Sequence, residues 1–529
     1  MPRIISISHF LLLSLCLCAS VVNLSCSTKP TDLRTLVPAE TLVYLETNDL
    51  AAALQPIVDA KPFLEVAKSK PDFSALKGVQ LAVAVTGFET SEEKLTDEHS
   101  VGRVQPRFVA VAETHAWNYQ ANAFAEQKLG SFVREIYDSE PTLERSDKNG
   151  GKYFKWTAPD GRKAYALVID SLIYFGNDET AIDKCLAVKR GESDSIVKTG
   201  KVPTASLETL ASGYVSTDGI AQIANIIGLK YASEIGEDSE VQSAIAGILP
   251  QLLRNTVIDI SWTSMTAEQG IEDKYLISFP PDIANVLNET MATGGLADSS
   301  AFYWLPSDVP TATRYDFKNP QIAWRSLLLV AQKQLDPTAN KALFAFSGLF
   351  FEPYGISDPD LFFSAGLTVI ATANFSNDGD KPVLKTTFID EGKFHNSLAK
   401  DIRQQRSDGS RHSEDGDIAA FQIDTTMVSG DAEVVKSLYS FYIATDKKNT
   451  LADVVNSNLG KGAAVFTVGR ELSLEHSFLI NLLATPSENA SPQVMSYYTG
   501  TRFTRTGMER KSTSDFGLIG SIIAQFGQE

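Results

Sequence analysis

Histidine and cysteine are scarce in this 529-residue chain, and their spacing excludes the commonest metal chemistry. The six histidines, His9, His99, His115, His395, His412 and His476, stand singly, and Cys16, Cys18, Cys26 and Cys185 include no Cys-x-x-Cys. Neither set has the ligand spacing of a zinc site, so no metal and no cofactor is expected. Basic clusters are also missing. With 47 Lys and Arg against 65 Asp and Glu, the chain carries a net charge of −18, so nucleic acid is not expected as a partner. Gly-rich phosphate loops are absent: Lys148-Asn149-Gly150-Gly151-Lys152 lacks the spacing and the following helix, and reads as a turn. Beyond residue 26 no stretch approaches the roughly 20 consecutive apolar residues of a membrane span.

What is present begins at the N-terminus. Arg3 precedes a largely apolar stretch from Ile4 through Val22, which ends in Asn23-Leu24-Ser25-Cys26. This is the layout of a secretory signal. Its last residues resemble a bacterial lipobox, which implies that Cys26 is acylated and becomes the new N-terminus. Cleavage after Ser20 is the alternative, and under it Cys26 is free to pair with Cys185. Arg3 is the only Lys, Arg, Asp or Glu in the first 26 residues, so the mature chain holds 46 basic against 65 acidic side chains, a net of −19. The membrane is then a partner through the lipid anchor alone, and stable anchoring needs more than one acyl chain.

The length exceeds what one hydrophobic core supports, about 250 to 300 residues, and the chain repeats itself. Ile169-Asp170-Ser171 running to Gly176 and Glu179 matches Ile423-Asp424-Thr425 running to Gly430 and Glu433, each 254 residues on. Pro38, Tyr44 and Asn48 pair with Pro306, Tyr315 and Asn319, with three extra residues after the second proline. Gly270-Ile271-Glu272-Asp273-Lys274 pairs with Gly507-Met508-Glu509-Arg510-Lys511. Three matches in one order predict a tandem duplication: a signal at 1–26, a first copy at 27–295 and a second at 300–529. The division falls in the small-residue stretch Ala292 to Ser300.

Within each copy strands alternate with helices. Gln80–Thr86, Arg107–Glu113, Tyr153–Thr157 and Lys163–Ile169 read as strands, as do Leu361–Ala373, Leu384–Asp390 and Asp417–Ile423. Helices are expected after Asn48 and at Gln120–Tyr137, Glu179–Val188, Tyr231–Leu253, Glu391–Arg403 and Glu433–Tyr442. Short links such as Asp170-Ser171 favour antiparallel pairing. The expected class is α+β: two tandem homologous copies, antiparallel sheets with helices packed on one face. The stretch Leu36-Val37-Pro38-Ala39-Glu40 continuing through Tyr44 and Asn48 to Leu50 resembles the start of bacterial envelope proteins grouped as DUF3352. That family has no assigned activity, and the resemblance implies an envelope location and no catalytic residue.

Several fragments invite a catalytic reading. Ser74-Ala75-Leu76-Lys77, Ser146-Asp147 and Lys198-Thr199-Gly200 occur in the order of the serine acyl-enzymes of peptidoglycan chemistry. There the Lys must lie one helical turn from the Ser, but Gly78 follows Lys77 at once and a strand begins near Gln80. Lys148 stands where that motif needs Asn. Asn377-Asp378-Gly379-Asp380 and Glu414-Asp415-Gly416-Asp417 lack the terminal Glu of a calcium loop and read as hairpin turns. Leu343 to Phe351 reads as a buried helix before a strand at Leu361, and Cys185 as a small buried hydrophobe. The expectation that results is a non-catalytic, exported envelope lipoprotein with a binding or scaffolding role, its ligand site in a groove between the copies. An exported hydrolase without a recognisable motif is the alternative.

Overall fold

The computed structural model describes residues 31–525 except 95–99, 205, 207, 235–247, 249, 269, 293–298, 377–379, 407–409, 444–449, 456–461, 473–482 and 484–493. Cys26 and the export segment, His99 and His476, most of the expected helix at Tyr231–Leu253 and the turn residues 377–379 lie outside the described residues.

Nineteen strands are described. In the first half they are β1 Val43–Thr47, β2 Gln80–Lys94, β3 Ser100–Glu113, β4 Thr142–Lys148, β5 Gly151–Thr157, β6 Lys163–Ile169, β7 Leu172–Gly176, β8 Thr209–Val215, β9 Asp259–Thr266 and β10 Ile271–Ser278. The second half has β11 Thr311–Tyr315, β12 Val369–Asn374, β13 Pro382–Thr387, β14 Ser410–His412, β15 Ile418–Ile423, β16 Thr426–Asp431, β17 Val465–Leu472, β18 Val494–Thr504 and β19 Gly507–Ser514. All pair antiparallel in one continuous ladder. Outward from β10 the neighbours run β9, β8, β1, β2, β3, β7, β6, β5, β4. Outward from β19 they run β18, β17, β11, β12, β13, β16, β15, β14. The two runs follow the same order along the chain, with β4 as an extra edge strand.

The halves therefore meet edge to edge, with no groove replacing the sheet between them. At this seam β10 pairs with β19 from Ile271 opposite Ser514 to Ser278 opposite Gly507, which sets Lys274 opposite Lys511. Two like charges face each other there, and each is neutralised by an acid of the other strand. Lys274 Nζ lies 3.2 Å from Glu509 and Lys511 Nζ lies 3.1 Å from Glu272.

Helices cover both faces of the sheet, which corrects the expectation of one covered face. The helices are α1 Leu50–Asp59, α2 Lys61–Val66, α3 Asn118–Phe124, α4 Gly130–Tyr137, α5 Glu179–Lys189, α6 Thr217–Glu234 and α7 Pro281–Thr290. The second half adds α8 Pro320–Gln334, α9 Pro337–Leu349, α10 Pro359–Ser364, α11 Glu391–Ser397, α12 Ala432–Ile443, α13 Leu451–Val454 and α14 Gly517–Gln525. Leu81 and Val83 of β2 join Leu54, Phe124 and Val133 of α1, α3 and α4 in one core, while Ala82 and Ala84 join Ile182 and Cys185 of α5 in another. Successive residues of a strand point to opposite faces, so these cores lie on opposite sides. In the second half Leu384 packs with Phe362 and Phe394 of α10 and α11, and Val383 with Val434 and Leu438 of α12. Continuous apolar runs such as Ala164 to Ile169, with Ala164 to Val168 all buried, are what two covered faces require.

Local signals explain the turns and caps. Asp170 and Asp424 each begin a two-residue link, β6 to β7 and β15 to β16, and each has a positive φ, 56° and 51°. Asp tolerates this left-handed conformation better than most residues. Asp49 caps α1 through the Ala52 N–H, and Asn319 caps α8 through the Ile322 N–H.

Two readings are corrected in detail. Leu361–Ala373 is not one strand: Asp358 accepts from the Leu361 N–H, Pro359 opens α10, and β12 begins at Val369. Tyr44 does not occupy the position of Tyr315. Pro38 and Pro306 bridge to Ser195 and Thr450, and the Leu42 and Pro310 carbonyls accept from Ser216 and Arg470. Both pairs are 268 residues apart, so no insertion follows the second proline. Tyr44, 1% exposed, then matches the fully buried Ala312, and Tyr315 matches Thr47 at the strand end. Side-chain identity misled where burial does not.

The last helix of each half lies on the other half. α7 packs on β18, β19 and α8, and α14 packs on β10 and β19. Phe516 and Ile523 enter the core built by α1, and a Cβ at Gly520 would sit 3.7 Å from Ile57.

Candidate functional site

The seam brings together residues of both halves beneath α14. Asp273 of β10 is 2% exposed, and its carboxylate accepts hydrogen bonds from Trp262 Nε1 at 2.9 Å and from the Leu518 backbone N–H at 2.7 Å. Burial raises its pKa, and these bonds oppose the rise. Asp273 thus ties the N-terminus of α14 to the first half.

Beside it lies a cavity of about 290 Å³ between α14 and strands β10, β18 and β19, whose walls include Tyr275, Tyr497, Arg510, Ser512, Asp515 and Phe516. Tyr275 stands directly opposite Arg510 across the seam. Among the described residues the exposed Arg510 guanidinium and the Tyr275 hydroxyl have no hydrogen-bond or ion-pair partner. Asp515 is part-buried, and its pKa is raised by burial despite a bond from the Ser496 backbone. A second cavity, of about 470 Å³, lies on the opposite face of the seam, where Lys201 pairs with Asp259 at 2.9 Å. A third, of about 440 Å³, lies beside α8 and α10 and includes Trp324 and Leu329.

Other buried ionisable groups are tied into the fold. Glu46 accepts from the Tyr44 hydroxyl at 2.8 Å and from Ser212 at 3.0 Å, and burial raises its pKa. Arg314 pairs with Asp316 at 2.9 Å. Arg411 donates to the carbonyls of Ile402 and Arg403.

The acyl-enzyme fragments are not assembled. Ser74 and Lys77 flank Leu76, which enters the core of the α1 face, whereas Lys198 and Thr199 follow Ile196, which enters the core of the α5 face. Ser74 Oγ donates to Asp72 at 3.0 Å, Lys198 pairs with Asp194 at 2.5 Å, and Ser146 and Asp147 lie on edge strand β4. His395 bonds Gln422 at 2.8 Å, His412 lies 3.1 Å from Ser410, and His115 is 3.7 Å from Glu113. Among the described residues no three His, Cys, Asp or Glu side chains converge as metal ligands. Glu414 to Asp417 forms the hairpin turn between β14 and β15, with Asp415 accepting from Ser413 and the Asp417 N–H. Cys185 is fully buried, and burial pushes its thiol up to about 12. The helix after Asp336 is less buried than expected: Leu349 is 43% and Phe350 73% exposed.

Asp273 and Arg510 stand in the sequence as parts of a repeated motif and carry no mark of a site. Their proximity follows from β10 pairing with β19, which motif spacing does not encode. Neither a protein-family model, nor a curated protein, nor a solved structure matches the chain.

Proposed function

We propose that this chain is a non-catalytic envelope lipoprotein of duplicated α+β build, exported and held at a membrane by acylation of Cys26, with a role in binding or scaffolding. The observation that carries the binding role is the division of labour among its charged groups. Glu46, Asp273, Arg314 and Arg411, all deeply buried, are engaged in holding strands and helices together. Arg510, by contrast, opens unengaged onto a cavity. That arrangement suits a cavity that holds a ligand.

The duplication is supported by the common strand order on either side of the seam, by the matching turns at Asp170 and Asp424, and by the equivalent bridges of Pro38 and Pro306. The copies are taken as 27–295 and 300–529, and the resemblance to the DUF3352 envelope proteins belongs to the same proposal. Thr31, five positions on from Cys26, donates its N–H to Gln80 at 2.8 Å. A chain of that length reaches at most about 18 Å, so the first half would lie close to the bilayer.

Palmitate labelling and membrane fractionation test the anchor. The wild-type chain is expected to take up label and sediment with membranes, and Cys26→Ala to lose the label and appear in the soluble fraction. Unchanged fractionation with no label in either form would refute the lipid anchor.

A further inference from the structure

We propose that the cavity beneath α14 is a binding site for a small polyhydroxylated carboxylate, a sugar acid, with Arg510 and Tyr275 taking the carboxylate. The inference rests on the binding role proposed above and names its ligand class.

The volume, about 290 Å³, lies at the lower end of ligand pockets, which run from about 300 to 1,000 Å³. It suits one sugar-sized ring. Arg510 presents a planar guanidinium whose paired N–H groups match a carboxylate, and no side chain of the described protein occupies them. Tyr275, opposite it across the seam, lines the same cavity and brings a hydroxyl donor to it. A chain of net charge −18 attracts no anion at long range, so recognition of one has to come from direct contact.

The remaining lining sets the rest of the ligand. Asp515 and the Ser512 and Ser521 hydroxyls supply acceptors and donors, and Tyr497 and Phe516 supply ring surface. A bare dianion would meet the Asp515 carboxylate unfavourably. A ligand that turns hydroxyls toward Asp515 and its carboxylate toward Arg510 satisfies both. Held there, the ligand would touch β10 of the first half and β19 and α14 of the second.

Calorimetric titration of the purified mature protein with D-glucuronate tests this, with D-glucose and L-lactate as comparison ligands. Saturable binding of D-glucuronate is expected, with Arg510→Gln weakening it by about tenfold or more, as loss of a hydrogen-bonded charge pair does, and Tyr275→Phe weakening it less. D-glucose lacks the carboxylate and L-lactate most of the hydroxyls, so each should bind more weakly. Neither replaced group has a partner in the free protein, so both variants should melt like the wild type without ligand. No saturable binding of D-glucuronate, equal binding by Arg510→Gln, or D-glucose binding as tightly would overturn the site, while leaving the Cys26 anchor experiment unaffected. Conversion of bound D-glucuronate to a product would support the site and overturn the non-catalytic reading.

Discussion

Ending the chain at Asp515 is expected to destabilise the first half of the molecule, although the residues removed lie at the far end of the sequence. Phe516 is 2% and Ile523 1% exposed, and both pack in the core that α1, α3 and α4 build. Uncovering two such side chains costs about 1.5 to 3 kcal/mol each. Removing the Leu518 N–H also leaves the buried Asp273 carboxylate with one fewer donor, a further loss of about 1 to 3 kcal/mol. The total, about 5 kcal/mol, is comparable with the whole stability of a domain, about 5 to 15 kcal/mol. Phe516→Ala alone should cost about 3 to 5 kcal/mol. Thermal unfolding followed by circular dichroism, with limited proteolysis to locate the loosened region, checks both. First cuts confined to the second half, or a melting temperature within about 2 °C of the full chain, would contradict the helix exchange.

Alanine at Gly430 and at Gly176 is expected to damage the two halves in the same way. A Cβ at Gly430 would stand 2.2 Å from the Pro382 carbonyl oxygen, and one at Gly176 would stand 2.3 Å from the Phe108 carbonyl oxygen. Each obstacle is backbone of the neighbouring strand, β13 or β3, so no side chain can swing aside. Relief requires separating paired strands in a packed sheet. Gly430→Ala should cost about 3 kcal/mol or more, because its φ of +148° adds strain for any L side chain. Gly176→Ala should cost less but remain clearly destabilising. Denaturant titration reads both, and a variant as stable as wild type would show that the strands can part at that point.

The anchors of the proposed duplication were legible because they fall where backbone geometry is demanding. Asp170 and Asp424 sit at positive φ, and Gly176 and Gly430 sit where a neighbouring carbonyl leaves no room for a Cβ. Such positions restrict residue choice, so they stay recognisable when the cores around them differ. Tyr44 and Tyr315 misled because a core position accepts Tyr in one half and Ala in the other if neighbours fill the volume.

The second covered face was also written in the chain. Ala164 to Val168 has no polar alternation, and that pattern belongs to a strand buried on both sides. Thirteen residues of apparent strand from Leu361 conceal a helix because Phe362 and Phe363 suit either state, and only the Asp358-Pro359 start decides. The candidate site was illegible for a different reason. Tyr275 and Arg510 meet through a strand pairing between distant parts of the chain, and no local pattern announces such a pairing.

The most direct test of two equivalent halves fused in one sheet is the register of the seam, where Lys274 stands opposite Lys511. Opposite residues of an antiparallel pair lie about 4.5 to 5.5 Å apart, inside the Cα range a disulfide spans, whereas residues offset by two lie about 7 to 8 Å apart, outside it. In a Cys26→Ala background, Lys274→Cys with Lys511→Cys should therefore oxidise to an intramolecular disulfide, detected by peptide mass spectrometry without reductant. Lys274→Cys with Thr513→Cys should remain reduced. A disulfide in the offset pair, or in neither, would contradict the seam and the equivalence of the halves built around it.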